Sequence, residues 1–426
     1  MYWQIKLRKE YYMYYYRYNE SVILSPKELQ GFDISSETEA QYSTGPVYVL
    51  NPSDPLNSRR SFCISSIDLL YLKNEDVGLL DYEREVYPGP PLWLKEKIQN
   101  RQAVSLNPCY PSWKDVLSST LPDSWRVNIA GMGDVGGTLA LGLRLVGGKN
   151  LSSIGIYDLD HNKLNRYEYE LNQINTLSYI DTLPPVKTIK ESSMFDCDLF
   201  VFCVTAGVPP IGDEKEDVRL TQFKANSRII ETYAQMARDR GFKGIFAVMS
   251  DPVDLLCTHA FKISNMGQGG FMDYEGLAPE QIRGLGLGVM NARALYYSSI
   301  NPDFSQYEVE GRAYGPHGKG LIIADSVPRY NEEKSLRLTE LVEKANLKVR
   351  ETGYKPYIAP AMSSGVLSIM ALITGQWNYS SIFLGGVFIG CKNRLLKSGT
   401  ELERLHLPAP LFERIRALWM QSGSQQ

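Results

Sequence analysis

The 426-residue chain carries almost no excess of either charge: 45 Lys and Arg stand against 48 Asp and Glu, for a net charge of −3. With a pI near 6.0 there is no basic field to draw nucleic acid. Cysteine is scarce. The six residues (Cys63, Cys109, Cys197, Cys203, Cys257 and Cys391) form no CxxC pair and no framework spacing, which gives no basis for a disulfide scaffold or a thiolate metal site. Cys197, Cys203 and Cys257 lie in apolar stretches and are expected as small core residues. A reducing cytoplasm fits this usage. Long apolar runs are absent too. Ile382 to Cys391 is glycine-broken and well short of the roughly 20 residues that a spanning helix needs. The first residues offer charge and tyrosine where a signal peptide has an apolar core. Histidine is rarest of all, with only His161, His259, His317 and His406, so acid–base work at neutral pH has few histidine candidates.

What remains is enough chain for two or three domains. Residues 1–122 read as a small α+β appendage. Trp3, Ile5 and Leu7 alternate as in a half-buried strand, tyrosines cluster from Tyr11 to Tyr18, and β-like pieces follow at Val47–Leu50 and Phe62–Leu72. Short helices are expected at Leu92–Arg101 and at Trp113–Ser119 with Ser112 as cap. No chemistry is visible there, and the tyrosines read as sheet surface or an oligomer contact. Residues 123–258 alternate strand and helix, with strands expected at 127–130, 154–157, 198–204 and 244–249, which calls for a doubly wound parallel sheet of α/β class. Residues 259–426 read as a mixed α/β substrate domain: a long helix over Glu332–Arg350, a strand-like run over Ser381–Gly390 and a last helix over Ala409–Gln421.

One stretch of the middle segment carries chemistry directly. The strand Val127–Ala130 runs into Gly131-x-Gly133-x-x-Gly136, with Asp134 and Val135 between, and a helical pattern begins at once. Gly131 permits the tight turn, Gly133 lets backbone approach a pyrophosphate, and Gly136 lets helix and strand pack closely. The free N–H groups of the helix then face the phosphates. A second strand ends at Asp158, whose carboxylate suits ribose hydroxyls and repels a 2′-phosphate, so NAD is expected rather than NADP.

Four further motifs follow in order: Asp198 to Pro209, a buried strand entering a glycine turn; Val248 to Asp254; Gly284 to Arg293; and Gly315-Pro316-His317-Gly318. With the glycine loop, these make the chain resemble the L-lactate/malate dehydrogenase family from about residue 125 to the C-terminus. His317 follows Arg293 by 24 positions, the interval that family shows between its substrate arginine and its catalytic histidine. The stretch Tyr357–Ser363 resembles the start of the helix that borders the substrate.

The resemblance implies an NAD-dependent transfer of hydride to or from a 2-hydroxy or 2-oxo acid. His317 is implied as the acid/base, Arg293 as the fork that holds a substrate carboxylate, and Arg219 as the arginine that closes over the substrate. Thr205, Ala206 and Gly207 join the glycine loop as cofactor contacts, and Pro356 lies where side-chain specificity is set. The family also implies a homo-oligomer, and neither a metal, a membrane nor nucleic acid is expected as partner.

Three departures keep other readings open. The family aspartate that orients the histidine falls at Met290, the usual asparagine of the Ser-Asn-Pro motif is Asp251, and the loop after Pro209 is longer than the family pattern and lacks its dicarboxylate-selecting arginine. Asp251 is therefore expected as the new charge partner of His317. A tolerated polar exchange and a contact to a cationic substrate group are the rival readings of the same residue. A catalytically impaired NAD(H) sensor or scaffold is one alternative, and an imino-acid or amino-acid-derivative dehydrogenase is another. The direction of Lys355 is open: pointing inward, it recovers an anionic substrate side chain. The glycine-rich Asn265–Asp273 reads as a surface insertion.

Overall fold

A computed structural model describes residues 14–82, 89–175, 182–206 and 218–424, with backbone alone at 218–220. The N-terminal segment builds a six-stranded sheet from β1 (Tyr14–Tyr18), β2 (Ser21–Ser25), β3 (Asp33–Ser35), β4 (Val47–Leu50), β5 (Ser61–Cys63) and β6 (Ala103–Leu106). Its order is β3-β1-β2-β4-β6-β5, with β2, β4 and β6 parallel. Trp3, Ile5, Leu7, Tyr11 and Tyr12 lie outside the described residues; of the remaining tyrosines, expected as sheet surface or an oligomer contact, Tyr14, Tyr15 and Tyr18 are half-buried and the expectation is corrected for Tyr16. Tyr16 is fully buried, its hydroxyl accepts from the Leu29 N–H at 2.7 Å, and Tyr14 and Tyr18 pack on the same core with Phe32 and Trp113. The expected piece at Phe62–Leu72 is strand only to Cys63, and Ile67–Tyr71 is a 3-10 turn that sends Leu69 and Leu70 into the core. Trp113–Leu117 is likewise a 3-10 turn, and the Ser112 hydroxyl makes no cap bond, accepting from Arg60 Nη1 instead.

The second sheet has nine strands. Six are parallel: β7 (Trp125–Ala130), β8 (Leu151–Tyr157), β9 (Val186–Thr188), β10 (Leu199–Phe202), β11 (Ile245–Val248) and β12 (Ile282–Gly284). Four of them sit where alternating apolar runs place them. Helices α1 (Asp134–Val146), α2 (His161–Gln173), α3 (Val218–Asp239) and α4 (Val253–Ser264) are the crossovers. Leu139, Ala140 and Leu143 of α1 are fully buried with Val127, Ile129 and Ile154, which is the apolar face that holds this helix on the sheet. The order runs β12-β11-β10-β7-β8-β9, so chain direction across the sheet reverses between β7 and β10. Ligands of such sheets bind outside the carboxyl ends of the strands at that reversal.

After β12 come α5 (Leu287–Ile300), the pair β13 (Arg312–Tyr314) and β14 (Ile322–Ala324), and helices α6 (Glu332–Glu343) and α7 (Ala345–Glu351). The single helix expected over Glu332–Arg350 is thus two, separated at Lys344. The strand expected at Ser381–Gly390 is a hairpin. β15 (Asn378–Leu384) and β16 (Val387–Leu396) fold about Gly385 and Gly386, whose φ values of 58° and 95° no bulky residue adopts readily. Together with β17 (Gly399–Leu402) they extend the nine-stranded sheet in antiparallel fashion beyond β12. The last helix, α8, runs Ala409–Ser424.

The N-terminal sheet shares one apolar core with this last part. Val22, Val47, Phe62 and Leu80 pack in a single cluster with Ile382, Ile389, Leu402 and Ile415. Buried ion pairs cross the same junction, including Arg60 to Glu280 at 2.9 Å and Arg404 to Asp68 at 2.6 Å. Among the described residues no helix is long and apolar enough to cross a membrane.

Candidate active site

The glycine loop sits at the carboxyl end of β7. Gly131 has φ +95°, and a Cβ there would lie 2.8 Å from the backbone of Cys203 and Val204, so the loop abuts the end of β10. A Cβ at Gly136 would come 1.9 Å from the Gly131 carbonyl oxygen, which makes that position glycine by packing alone. Gly133 differs: a Cβ on it would meet nothing within 4 Å, and it caps α1 with no side-chain bond to the first turn. The open space and the unsatisfied N–H groups lie together at one helix end, a cradle for phosphate. Asp134 and Val135 form the first helical positions, exposed and half-buried respectively. Asp158 accepts from the Met132 N–H at 2.8 Å and from the Asp160 N–H at 3.0 Å, and pairs with Lys163 at 3.1 Å. Partial burial raises its pKa, but those donors and the lysine outweigh it and hold the carboxyl below its ordinary value.

Two loops from neighbouring strands are tied across the reversal point by a residue that carries no motif. Asn226, buried on α3, accepts from the Ala206 N–H at 2.9 Å and donates to the Asp251 carbonyl at 2.7 Å. The Ser250 hydroxyl reinforces this with a 2.7 Å bond to the Val204 carbonyl. The only sequence signal for Asn226 is a polar residue on the inner face of an amphipathic helix. Thr205 and Ala206 are exposed beside the glycine loop, while Gly207 lies outside the described residues. Arg219 is in the first turn of α3, with its backbone alone described.

His317 stands between β13 and β14 and faces the end of β11. Its Nδ1 is 3.0 Å from Asp251 Oδ1. Its Nε2 is buried and has no hydrogen-bond partner among the described residues. A neutral carboxylate-bound imidazole with Nδ1 donating leaves Nε2 as a bare acceptor aimed inward. Met290, on α5, is buried at 2 % exposure among Leu287, Ala294 and Tyr297, a core side chain. One turn on, Arg293 is half-buried, with Nη1 at 3.6 Å from Met290 Sδ and 3.4 Å from the Val342 carbonyl. No carboxylate lies within 4.0 Å of its guanidinium among the described residues. Burial lowers its proton affinity, and Tyr297 and Asp251 partly offset that. Ser364 locks the start of α5, accepting from the Val289 N–H and donating to the Gly286 carbonyl, each at 2.8 Å.

Pro356 is half-buried at the end of the loop before the Tyr357–Ser363 stretch. Lys355 does not turn toward the imidazole: its Nζ donates to Asp134 Oδ2 at 3.1 Å, with the lysine 80 % exposed. Of the two directions the sequence leaves open for Lys355, the structure has the one toward the glycine loop. His161 and His406 are exposed. The glycine-rich insertion is closed by a bridge between Met266 and Met272 and exposes Phe271.

Comparison with known proteins agrees with this geometry. Residues 125–272 match the family described as lactate/malate dehydrogenase, NAD binding domain. The chain is 25 % identical over 288 residues to an L-lactate dehydrogenase of Corynebacterium jeikeium, covering 61 % of this chain and 82 % of that one. It is 26 % identical over 298 residues to an L-lactate dehydrogenase of Lacticaseibacillus casei, covering 63 % and 85 %. Two solved structures share the fold, each with a TM-score of 0.56 over 71 % of this chain. One is a lactate dehydrogenase from a Medee basin deep-sea metagenome library (21 % identity, 97 % of that chain), the other the minor L-lactate dehydrogenase of Enterococcus mundtii (20 %, 96 %). The open cradle at Gly133, the uncapped start of α1 and the carboxylate of Asp158 fit the cofactor of the matched domain, which is NAD. Residues 125–272 thus carry the NAD-binding domain of the lactate/malate dehydrogenase family, and the chain as a whole shares the fold of lactate dehydrogenases.

Proposed function

We propose that this protein is an NAD-dependent dehydrogenase that interconverts a 2-hydroxy acid and its 2-oxo acid. The observation that carries the reading is the His317–Asp251 contact of 3.0 Å, which leaves Nε2 buried and unpartnered among the described residues, while Arg293 lies near enough to feel the charge of the same Asp251. When bound, NAD supplies the hydride acceptor and, in its reduced form, the donor.

In the oxidation direction the Nε2 lone pair takes the hydroxyl proton as the C–H hydride leaves, and the hydroxyl carbon becomes a carbonyl. The imidazolium so formed faces the Asp251 carboxylate, which stabilises the charge that Met290 does not. Arg293 holds the substrate carboxylate in a two-point fork and fixes the reacting carbon. Arg219 is assigned to polarise the carbonyl. Nucleotide binding falls to 123–258, and substrate binding with proton transfer to 259–426. Pro356 is the proposed specificity neighbour. The loop that lacks a second arginine supports a substrate side chain without a second carboxylate.

We further assign the protein to the cytoplasm as a homo-oligomer, on its cysteine usage and its family. The test is a stopped-flow screen of 2-oxo acids with NADH. Turnover of at least one acid with an uncharged side chain is expected, and tight NADH binding with no turnover across a broad panel would overturn the assignment.

A further inference from the structure

Outside this site, the junction between the N-terminal sheet and the end of the nine-stranded sheet buries the arginines Arg59, Arg60 and Arg283. Arg59 is 3 % exposed and Arg283, in β12, is 1 % exposed. Three of the four cations there have a carboxylate: Arg59 pairs with Glu75, Arg60 with Glu280, and Arg404 with Asp68. Arg283 has none within 4.0 Å among the described residues. Its Nη2 donates to the Thr400 hydroxyl and its Nη1 to the Ile282 carbonyl at 3.3 Å, while Nε has no partner. Arg59 Nη1 is also buried and has no hydrogen-bond partner among the described residues. A buried cation with no carboxylate in contact is costly to keep, so a bound anion is the simplest way to retain it.

Two small cavities share Arg59 and Phe62 as walls. One is lined by Glu75, Asn51, Asn74 and Asn107, so an anion there faces a carboxylate. The other presents Arg59, Thr400, Arg404 and Ser65 on an otherwise largely apolar wall, and Arg283 reaches it through Thr400, whose hydroxyl accepts the hydrogen bond from Arg283 Nη2. The centre of a water-sized particle can range over only about 10 Å³ there, which is room for about one small particle and for no metabolite. We propose that this second cavity is an anion site that holds one chloride-sized ion against Arg59, balancing the unpaired charge of Arg283. Burial lowers the proton affinity of Arg283 to about 10, with Arg59 adding to the fall and Glu280, already paired with Arg60, offsetting only part of it. The site is independent of the proposed dehydrogenase chemistry.

The experiment uses the full chain, exchanged into gluconate buffer at fixed ionic strength and pH, then titrated with sodium chloride or bromide. A saturable rise in Tm of several degrees is expected with either halide and not with gluconate. Arg283→Met replaces the cation by an apolar side chain of similar reach and is expected to abolish the halide dependence. Crystals grown with bromide should give an anomalous peak beside Arg59, which decides the matter even if Arg283→Met does not fold. Equal Tm in all anions, or a water without anomalous signal in the cavity, overturns the proposal. A bromide peak with no halide effect on stability means an adventitious ion only, and overturns it too.

Discussion

Gly286 lies directly against His317: a Cβ at Gly286 would stand 2.8 Å from the His317 Cβ and 3.2 Å from Val253 Cγ2. Its φ of −122° is open to any residue, so the position is glycine because of the imidazole and not because of backbone conformation. Gly286→Ala is therefore expected to push His317 off Asp251. A fall in kcat of about 10–100-fold is expected with NADH affinity unchanged, since a misplacement near 1 Å costs about that much. Stopped-flow turnover and fluorescence titration of NADH separate the two.

Asp251→Asn removes the charge that faces the imidazolium and keeps the shape. Loss of the orienting acid costs about four orders of magnitude in related triads, and a loss of kcat on that scale is expected here. The pH–rate profile for reduction of the oxo acid, which consumes the protonated imidazole, should change with it. An unaltered pH–rate profile would show that Asp251 is no partner of His317.

The glycine loop separates folding from binding. Gly133→Ala adds a methyl to open space, so Tm should move by less than about 2 °C. The same methyl occupies the phosphate cradle, and NADH affinity should fall by about tenfold or more, some 1.4 kcal/mol. Gly136→Ala, which collides with the Gly131 carbonyl at 1.9 Å, should lose stability as well as binding. Calorimetry with and without NADH reads both.

Asp158 links pH to the cofactor loop. Its folded pKa lies below the ordinary carboxylate value, so its contribution to stability is complete above about pH 5 and is lost as pH falls through the depressed folded value. Asp158→Asn should lower Tm at neutral pH, and that difference should shrink and then vanish as the pH falls through the depressed folded value. Asp158→Ser should also narrow the preference for NADH over NADPH, because the carboxylate that repels a 2′-phosphate is gone.

Arg293→Met should raise KM for the oxo acid by about 10–100-fold, the value of a lost charge-assisted fork. Arg293→Lys should restore little of it, because a single ammonium does not present two parallel donors. An unchanged KM in Arg293→Met would remove the arginine from the substrate site.

The glycine loop, the alternation of strand and helix, and the order of His317 after Arg293 were all legible in the chain, because each is a short-range pattern with a fixed period or interval. Element type was less secure where an apolar run had to turn: Ser381–Gly390 reads as one strand, and only the positive φ angles of Gly385 and Gly386 make it two. The partner of His317 was a matter for folding. Asp251 is 66 positions away, and no local pattern distinguishes it from a substrate contact until β11 and the β13–β14 turn are brought together. Asn226 reaches Ala206 and Asp251 only because α3 crosses between β10 and β11. Lys355 meets Asp134 across 221 residues, and Arg60 meets Glu280 across 220. Short-range periodicity therefore fixed which elements form and where a nucleotide belongs. The identity of each charge partner was decided by contacts between residues distant in the chain, whose energies depend on burial that exists only after the sheets have packed.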